Sequence, residues 1–160
     1  MIRISKLMGL AVVSSETGKR IGLADRVILS ADGQDAEGLV LRPWGFGRAK
    51  RFVSLDSIVL WGEVSIAVHA IQKISTAQKM RSDIIDLAVL DTSGQRLGWV
   101  TDVLIDEESG RVLSLEISRG IVDDFTTGRI CVHNFTMRPG GVVAVTETPE
   151  EDDSSSVFSR

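Results

Sequence analysis

Apolar and polar positions alternate along most of the chain in short segments, which are separated by Gly, Asp and Ser. The clearest case is residues 111–119, where Leu113, Leu115 and Ile117 alternate with a serine and a glutamate. A period of two residues is the signature of a strand with one face in the core. The same pattern predicts strands at residues 10–14, 22–30, 37–42, 51–55, 64–68, 87–91, 98–106, 111–119, 130–133 and 142–146.

One stretch has a helical rather than a strand pattern. In residues 71–80, Ile71, Ile74 and Ala77 share one face of a helix, and neither Gly nor Pro interrupts the segment. We therefore expect residues 71–81 to form a short connector, helical or extended, between two groups of strands.

The two groups of strands are an internal repeat with an offset of 76 residues. At this offset identical residues coincide at Gly18/Gly94, Arg20/Arg96, Gly22/Gly98 and Val27/Val103. A repeat of this length is too long for a solenoid unit and long enough for a small β domain. We predict repeat 1 at residues 1–70, the connector at 71–81, repeat 2 at 82–147 and a disordered acidic and Ser-rich tail at 148–160.

A family resemblance rests on repeat 2, in the pattern Val89-x-Asp91-x-x-Gly94-x-x-Leu97-Gly98-x-Val100-x-Asp102-Val103-x-Ile105-Asp106, followed by Gly110-x-Val112-x-x-Leu115. This pattern resembles the PRC-barrel family. That family includes the cytoplasmic domain of the reaction-centre H subunit and the C-terminal domain of a ribosome-maturation factor. Repeat 1 departs from the pattern, because Arg26 and Ser30 stand where repeat 2 has Asp102 and Asp106.

The resemblance implies an all-β chain of two tandem small antiparallel β-barrels. It also implies a protein-binding adaptor rather than an enzyme, since such domains are known mainly as adaptors. A fold alone does not fix a function.

The charge of the chain divides at the repeat boundary. The net charge is −4, which argues against a general nucleic-acid binder. Residues 1–81 contain 12 Lys/Arg and 7 Asp/Glu, whereas residues 82–160 contain 6 and 15. Repeat 1 is therefore basic and repeat 2 acidic, and every lysine lies at or before Lys79.

Little in the sequence points to catalysis, a cofactor or a metal. Two His and the single Cys131 provide few ligands or nucleophiles, and no glycine-rich phosphate-binding pattern is present. The acidic residues from Asp102 to Glu108 lack the spacing of a calcium loop, and we interpret them as solvated acids near a hairpin. We expect no catalytic, cofactor or metal site, and hence no enzyme.

The longest apolar runs are about four residues, against the ~20 that span a bilayer, and the first residues do not resemble a signal peptide. We therefore expect a cytoplasmic protein without a transmembrane segment.

The candidate binding residues lie in two loops. The first, residues 42–51, combines two aromatic and four basic side chains: Arg42, Trp44, Phe46, Arg48, Lys50 and Arg51. Its aromatic residues would either close one end of the first barrel, dock a protein partner, or stack on RNA bases. The second, residues 120–128, contains Asp123, Asp124 and Phe125.

The opposite charges of these loops suggest that they meet, either between the two barrels or head-to-tail between copies in a homo-oligomer. The favoured function is a non-enzymatic adaptor for an unidentified protein partner. The alternative is a ribosome-assembly or RNA-associated factor that uses residues 42–51.

Overall fold

A computed structural model of the chain describes residues 1–81, 83–120 and 128–147. Each predicted strand is present with ends that shift by at most two residues. In these residues the strands are β1 (Ile2–Arg3), β2 (Ala11–Ser14), β3 (Arg20–Leu29), β4 (Ala36–Pro43), β5 (Arg51–Ser54), β6 (Ile58–Trp61), β7 (Ser65–Val68), β8 (Gln72–Lys73), β9 (Ala88–Leu90), β10 (Arg96–Ile105), β11 (Val112–Ser118), β12 (Ile130–Val132), β13 (Phe135–Arg138) and β14 (Val142–Val145). The helices are α1 (Ile4–Leu7) and α2 (Thr76–Met80), and a 3-10 turn spans Leu55–Ser57.

The strands form two sheets, which confirms the all-β class and the tandem organisation. Sheet 1 has the order β6-β7-β2-β3-β4-β5-β8, and sheet 2 has the order β12-β11-β10-β9-β14-β13 with β1 added beside β10. The expected closure into barrels is not found, since the end strands of neither sheet pair with each other within the described residues. The sheets are also mixed, because β2 pairs in parallel with β7 and β9 pairs in parallel with β14. The 3-10 turn separates β5 from β6, and β6 pairs with β7 instead of continuing alongside β5.

The sequence repeat is also a repeat of backbone detail. The β3–β4 pair has a register shift between Ala24 and Arg26, and the β10–β11 pair has one between Val100 and Asp102, which is 76 residues later. Such bulges bend a strand and increase its twist. Each repeat therefore places one long, bent hairpin at its centre.

The two repeats exchange their leading segments. Strand β1 and helix α1 begin repeat 1 in sequence, yet they lie against β10 of repeat 2, with Ile2 paired to Ile105. The connector that precedes repeat 2 lies against repeat 1, where Gln72 of β8 pairs with Phe52 of β5. Leu7 of α1 is completely buried in a core to which both repeats contribute.

A short antiparallel contact joins the starts of β4 and β11. Asp35 bridges Arg111, its own counterpart in the repeat, and the two flanking backbone hydrogen bonds are equivalent. The Ala36 N–H donates to the carbonyl of Gly110, the residue before Arg111, at 2.7 Å. The Val112 N–H donates to the carbonyl of Gln34, the residue before Asp35, at 2.8 Å. The two halves are therefore related by a local pseudo-two-fold axis through this contact. The predicted boundaries at residues 70 and 82 stay a prediction.

The central strands are buried on both faces, which corrects two interpretations made from alternation. Glu116 of β11 lies on the face expected to be polar and is buried, and Asp102 of β10, expected to be solvated, is only 6% exposed. On the equivalent outer face of repeat 1, Ile28, Val40 and Phe52 form a small apolar cluster. In both repeats a segment from elsewhere in the chain covers this face.

Among the described residues, no helix has the length and apolar content needed to cross a membrane.

Candidate functional site

The basic-aromatic loop connects β4 to β5 at one end of sheet 1. Its aromatic residues point into water: Trp44 is 52% exposed and Phe46 is fully exposed. The interpretation in which they close the end of a barrel is therefore wrong. A large apolar side chain in water is informative when it lies beside cations, since Trp and Arg are favoured anchors of binding surfaces.

Two glycines give the loop its projecting shape. Gly45 and Gly47 have φ of +102° and +74°, which side chains with a Cβ rarely adopt. Apart from the glycine and its two chain neighbours, no described residue has an atom within 4 Å of the Cβ position at either site. The intervening Phe46 is thus carried at the tip of a turn that stands clear of the sheet.

A groove of about 620 Å³ lies beside this loop, between the strands of sheet 1 and the connector. Its described walls combine apolar residues of sheet 1 and the connector with cationic side chains. The cationic residues are Arg48, Lys50, Arg51, Lys73 and Lys79, and the apolar residues are Ile21, Leu41, Pro43, Ala49, Ile71 and Ile74. A smaller cavity of about 300 Å³ shares Lys50, Ile74 and Lys79 with the groove and adds Asp25 and Asp83.

Like charges face each other across the groove wall. Arg51 of β5 is directly opposite Lys73 of β8 in the antiparallel register, and both residues are exposed. Like charges at directly opposite positions destabilise a strand pair. By contrast, the Nζ of Lys50 pairs with Oδ2 of Asp25 at 2.7 Å. A bound anion would relieve the repulsion between Arg51 and Lys73.

Helix α2 of the connector, which supplies Lys79 and follows Lys73, is capped at its start and bound to repeat 1 at its end. At the start of α2, Ser75 and Gln78 form a capping box, with the Gln78 N–H donating to Ser75 Oγ at 3.1 Å. At its end, the Arg26 guanidinium donates to the carbonyls of Gln78 and Arg81 at 3.2 and 2.8 Å. These contacts hold the two lysines beside the groove.

The structure brings only some of the predicted site residues together. Arg48, Lys50 and Arg51 line the groove, whereas Arg42, Trp44 and Phe46 do not. Asp123, Asp124 and Phe125 lie outside the described residues, as does the predicted tail at 148–160, so the predicted meeting of the two loops stays a prediction. The sequence interpretation missed Lys73 and Lys79, although the confinement of lysine to residues 6–79 was a signal for them.

A second polar cluster lies under the leading segment of the chain. The carboxylate of Asp102 accepts hydrogen bonds from Ser5, through both its Oγ and its backbone N–H. Glu116 accepts hydrogen bonds from the guanidinium groups of Arg3 and Arg129. Paired in this way, the buried acids hold the leading segment of repeat 1 on repeat 2.

Within the described part of the chain, no three His, Cys, Asp or Glu side chains are grouped so that they could hold a metal ion. His133 lies beyond the end of β12, with Nδ1 3.3 Å from the carbonyl oxygen of Leu113. The basic groove is therefore the candidate binding site in the described part of the chain.

Comparison with known proteins agrees with the repeat. The family profile of the PRC-barrel domain matches residues 1–72 and, a second time, residues 78–148. No curated protein matches the sequence.

Proposed function

The chain belongs to the PRC-barrel domain family, and we propose that it is a non-enzymatic adaptor that binds an acidic, partly apolar surface of a protein partner. The binding surface is the groove beside the part of the basic-aromatic loop that lies between β4 and β5, residues 44–50, called loop 44–50 below. The observation that carries the proposal is the repulsive pair Arg51/Lys73, which faces the groove beside exposed aromatic residues.

Two physical terms favour such a partner. Carboxylates placed between Arg51 and Lys73 convert a repulsion into two attractions, which fixes the register of the partner and accelerates its association. The apolar wall formed by Ile21, Ile71 and Ile74 accepts aliphatic side chains between those carboxylates. The exposed Trp44 of loop 44–50 adds contact area with little loss of conformational entropy.

Protein fits this surface better than RNA. Recognition of single-stranded RNA relies on aromatic side chains on which bases stack along a basic track. Here the groove is lined by aliphatic and cationic side chains, and the exposed Trp44 and Phe46 are not part of its lining.

The test is fluorescence anisotropy with a fluorescein-labelled peptide of Glu-Asp-Leu-Glu repeated three times. We expect binding that weakens as salt rises and that weakens by at least about tenfold in the double variant Arg48→Glu/Lys73→Glu. The matched control is Lys6→Glu/Lys19→Glu, which makes the same charge change at exposed lysines outside the groove.

Equal losses in the groove variant and in the control would mean that only net charge matters, and would overturn the proposal. The proposal would also be overturned if a twelve-nucleotide oligouridylate bound more tightly than the peptide and the groove variant abolished that RNA binding. That result would support the RNA-associated alternative.

A further inference from the structure

An exposed apolar edge lies at the end of sheet 1 opposite to the groove. Strand β6 pairs only with β7 in the described part of the chain, and its other edge faces solvent. Val59 and Leu60 of this strand are 58% and 59% exposed, and Val64 in the following turn is 83% exposed. Proteins normally shorten, charge or cover such edges, because an open apolar edge invites another chain to bind.

Repeat 2 shows what covers the equivalent edge. Its strand β13 is the counterpart of β6, and a turn of repeat 1 lies against it. The Met137 N–H donates to the carbonyl of Asp32 at 2.9 Å, and the Gln34 side-chain amide donates to the carbonyl of Phe135 at 2.6 Å. The counterpart turn at residues 106–110 makes no backbone hydrogen bond to β6 among the described residues. The described residues therefore give the β6 edge no counterpart of the two hydrogen bonds that cover the β13 edge, and Val59 and Leu60 stay exposed.

The charges around β6 specify the occupant. Asp56 precedes the strand and Glu63 follows it, and both are exposed. A segment that covers this edge should therefore be apolar at its centre and basic beside it. Loop 44–50 has this composition, with Phe46 at its tip and Arg48 beside it.

The loop and the edge lie at opposite ends of sheet 1, since β6 begins the strand order and the β4–β5 connection lies next to its other end. Within one molecule the loop does not cover this edge, since Phe46 is fully exposed and Val59 and Leu60 are more than half exposed. We propose that loop 44–50 of one copy covers the β6 edge of a second copy. This inference rests on the proposed function, because it uses the same loop and identifies one acidic, apolar surface that the loop binds.

The alternative of two β6 strands pairing with each other is electrostatically unfavourable. An antiparallel pair that brings Val59 opposite Leu60 also brings Asp56 of one copy opposite Glu63 of the other. Like charges directly opposite each other destabilise such a pair. A contact between two different surfaces instead leaves one free loop and one free edge at the ends, so it builds open chains rather than closed dimers.

The test is sedimentation equilibrium of the full chain from micromolar to millimolar concentration. We expect the weight-average mass to rise from 17.4 kDa past the value for a dimer without a plateau. Two variants should each keep the protein monomeric: the loop variant Phe46→Ser/Arg48→Glu and the edge variant Leu60→Lys. Their controls are Lys19→Glu and Met80→Lys, which change exposed residues elsewhere and should associate like the parent chain.

Mixing the two defective variants gives the decisive measurement. The edge variant still has an intact loop and the loop variant an intact edge, so the mixture should form one interface and stop at a dimer. A parent chain that stays monomeric throughout would overturn the inference, as would association that only the edge variant abolishes. If the parent chain is monomeric but still binds the acidic peptide through the groove, the self-association is wrong and the proposed function stands.

Discussion

Replacing Ser5 by Ala should destabilise repeat 2, although Ser5 belongs to repeat 1 in sequence. The Ser5 hydroxyl donates to Oδ2 of Asp102, and the Ser5 N–H donates to Oδ1 at 3.1 Å. The carboxylate is almost completely buried, and the guanidinium of Arg3 is 3.9 Å from Oδ2. Without the hydroxyl, this oxygen keeps only a contact that is longer than a hydrogen bond.

The magnitude follows from this geometry. A hydrogen bond to a charged group contributes about 1.5–3 kcal/mol to stability. We expect the free energy of unfolding to fall by about 2 kcal/mol, in the lower part of that range. Oδ1 keeps its hydrogen-bond partners, and the half-exposed Arg3 remains near Oδ2. With a urea m-value of about 2 kcal/mol/M, the midpoint should fall by about 1 M with an unchanged slope.

The assay is equilibrium unfolding in urea followed by circular dichroism, with the exposed Ser15→Ala as the matched control. The double variant Ser5→Ala/Asp102→Asn completes a mutant cycle. If the two changes are coupled through the hydrogen bond, the double variant loses less stability than the two single variants together. A loss below about 0.5 kcal/mol for Ser5→Ala, the ordinary range of surface changes, would refute the reasoning.

Three further predictions concern stability elsewhere in the chain. Gly98→Ala should lower the free energy of unfolding in urea by about 3 kcal/mol, because the new Cβ would lie 2.2 Å from a backbone oxygen of β11. Gly94→Ala should lower it by only about 1 kcal/mol, because Gly94 has φ +85° but open space around its Cβ position. The pKa of Asp91 is lowered because its carboxylate accepts hydrogen bonds from a serine hydroxyl and from backbone N–H groups. Asp91→Ala should therefore destabilise the protein most at pH 7, and the difference from the parent chain should fade as pH falls below about 4. Arg51→Glu should raise the free energy of unfolding by about 0.2–1 kcal/mol, because it turns the repulsion with Lys73 into an attraction. The same change should weaken peptide binding. An equal or lower free energy of unfolding in urea would contradict the repulsion.

The local pattern of the sequence was sufficient for most strands, because each has one face or both faces in the core. It was insufficient for β6 and β13. Strand β6 reads as an uninterrupted apolar run, Ile58–Trp61, which has no period of two. Strands β1 and β8 contain two residues each and exist because a distant strand pairs with them.

The exchange of leading segments could not be predicted from the sequence either. Ile4 and Leu7 show only that α1 buries an apolar face, and either repeat offers such a face. The choice of repeat 2 depends on residues about a hundred positions away, among them Asp102.

The binding loop was visible from composition, because aromatic and basic residues are concentrated in it. The remaining wall of the groove was not visible, because Lys73 faces Arg51 only through the β5–β8 pairing. Lys79 lines the groove because Arg26 holds the end of α2 in place. These contacts join positions more than 20 residues apart, which local patterns do not relate.

The interlocked structure also explains part of the charge difference between the repeats. Asp102 and Arg26 occupy equivalent positions, and each meets the segment that covers its strand. At Asp102 that segment is the start of α1, where free N–H groups such as that of Ser5 need an acceptor. At Arg26 it is the end of α2, where the carbonyls of Gln78 and of the C-cap residue Arg81 accept hydrogen bonds from the guanidinium. The opposite ends of two helices therefore require opposite charges at the same position of the repeat, and this pair of substitutions follows from the fold rather than from the partner.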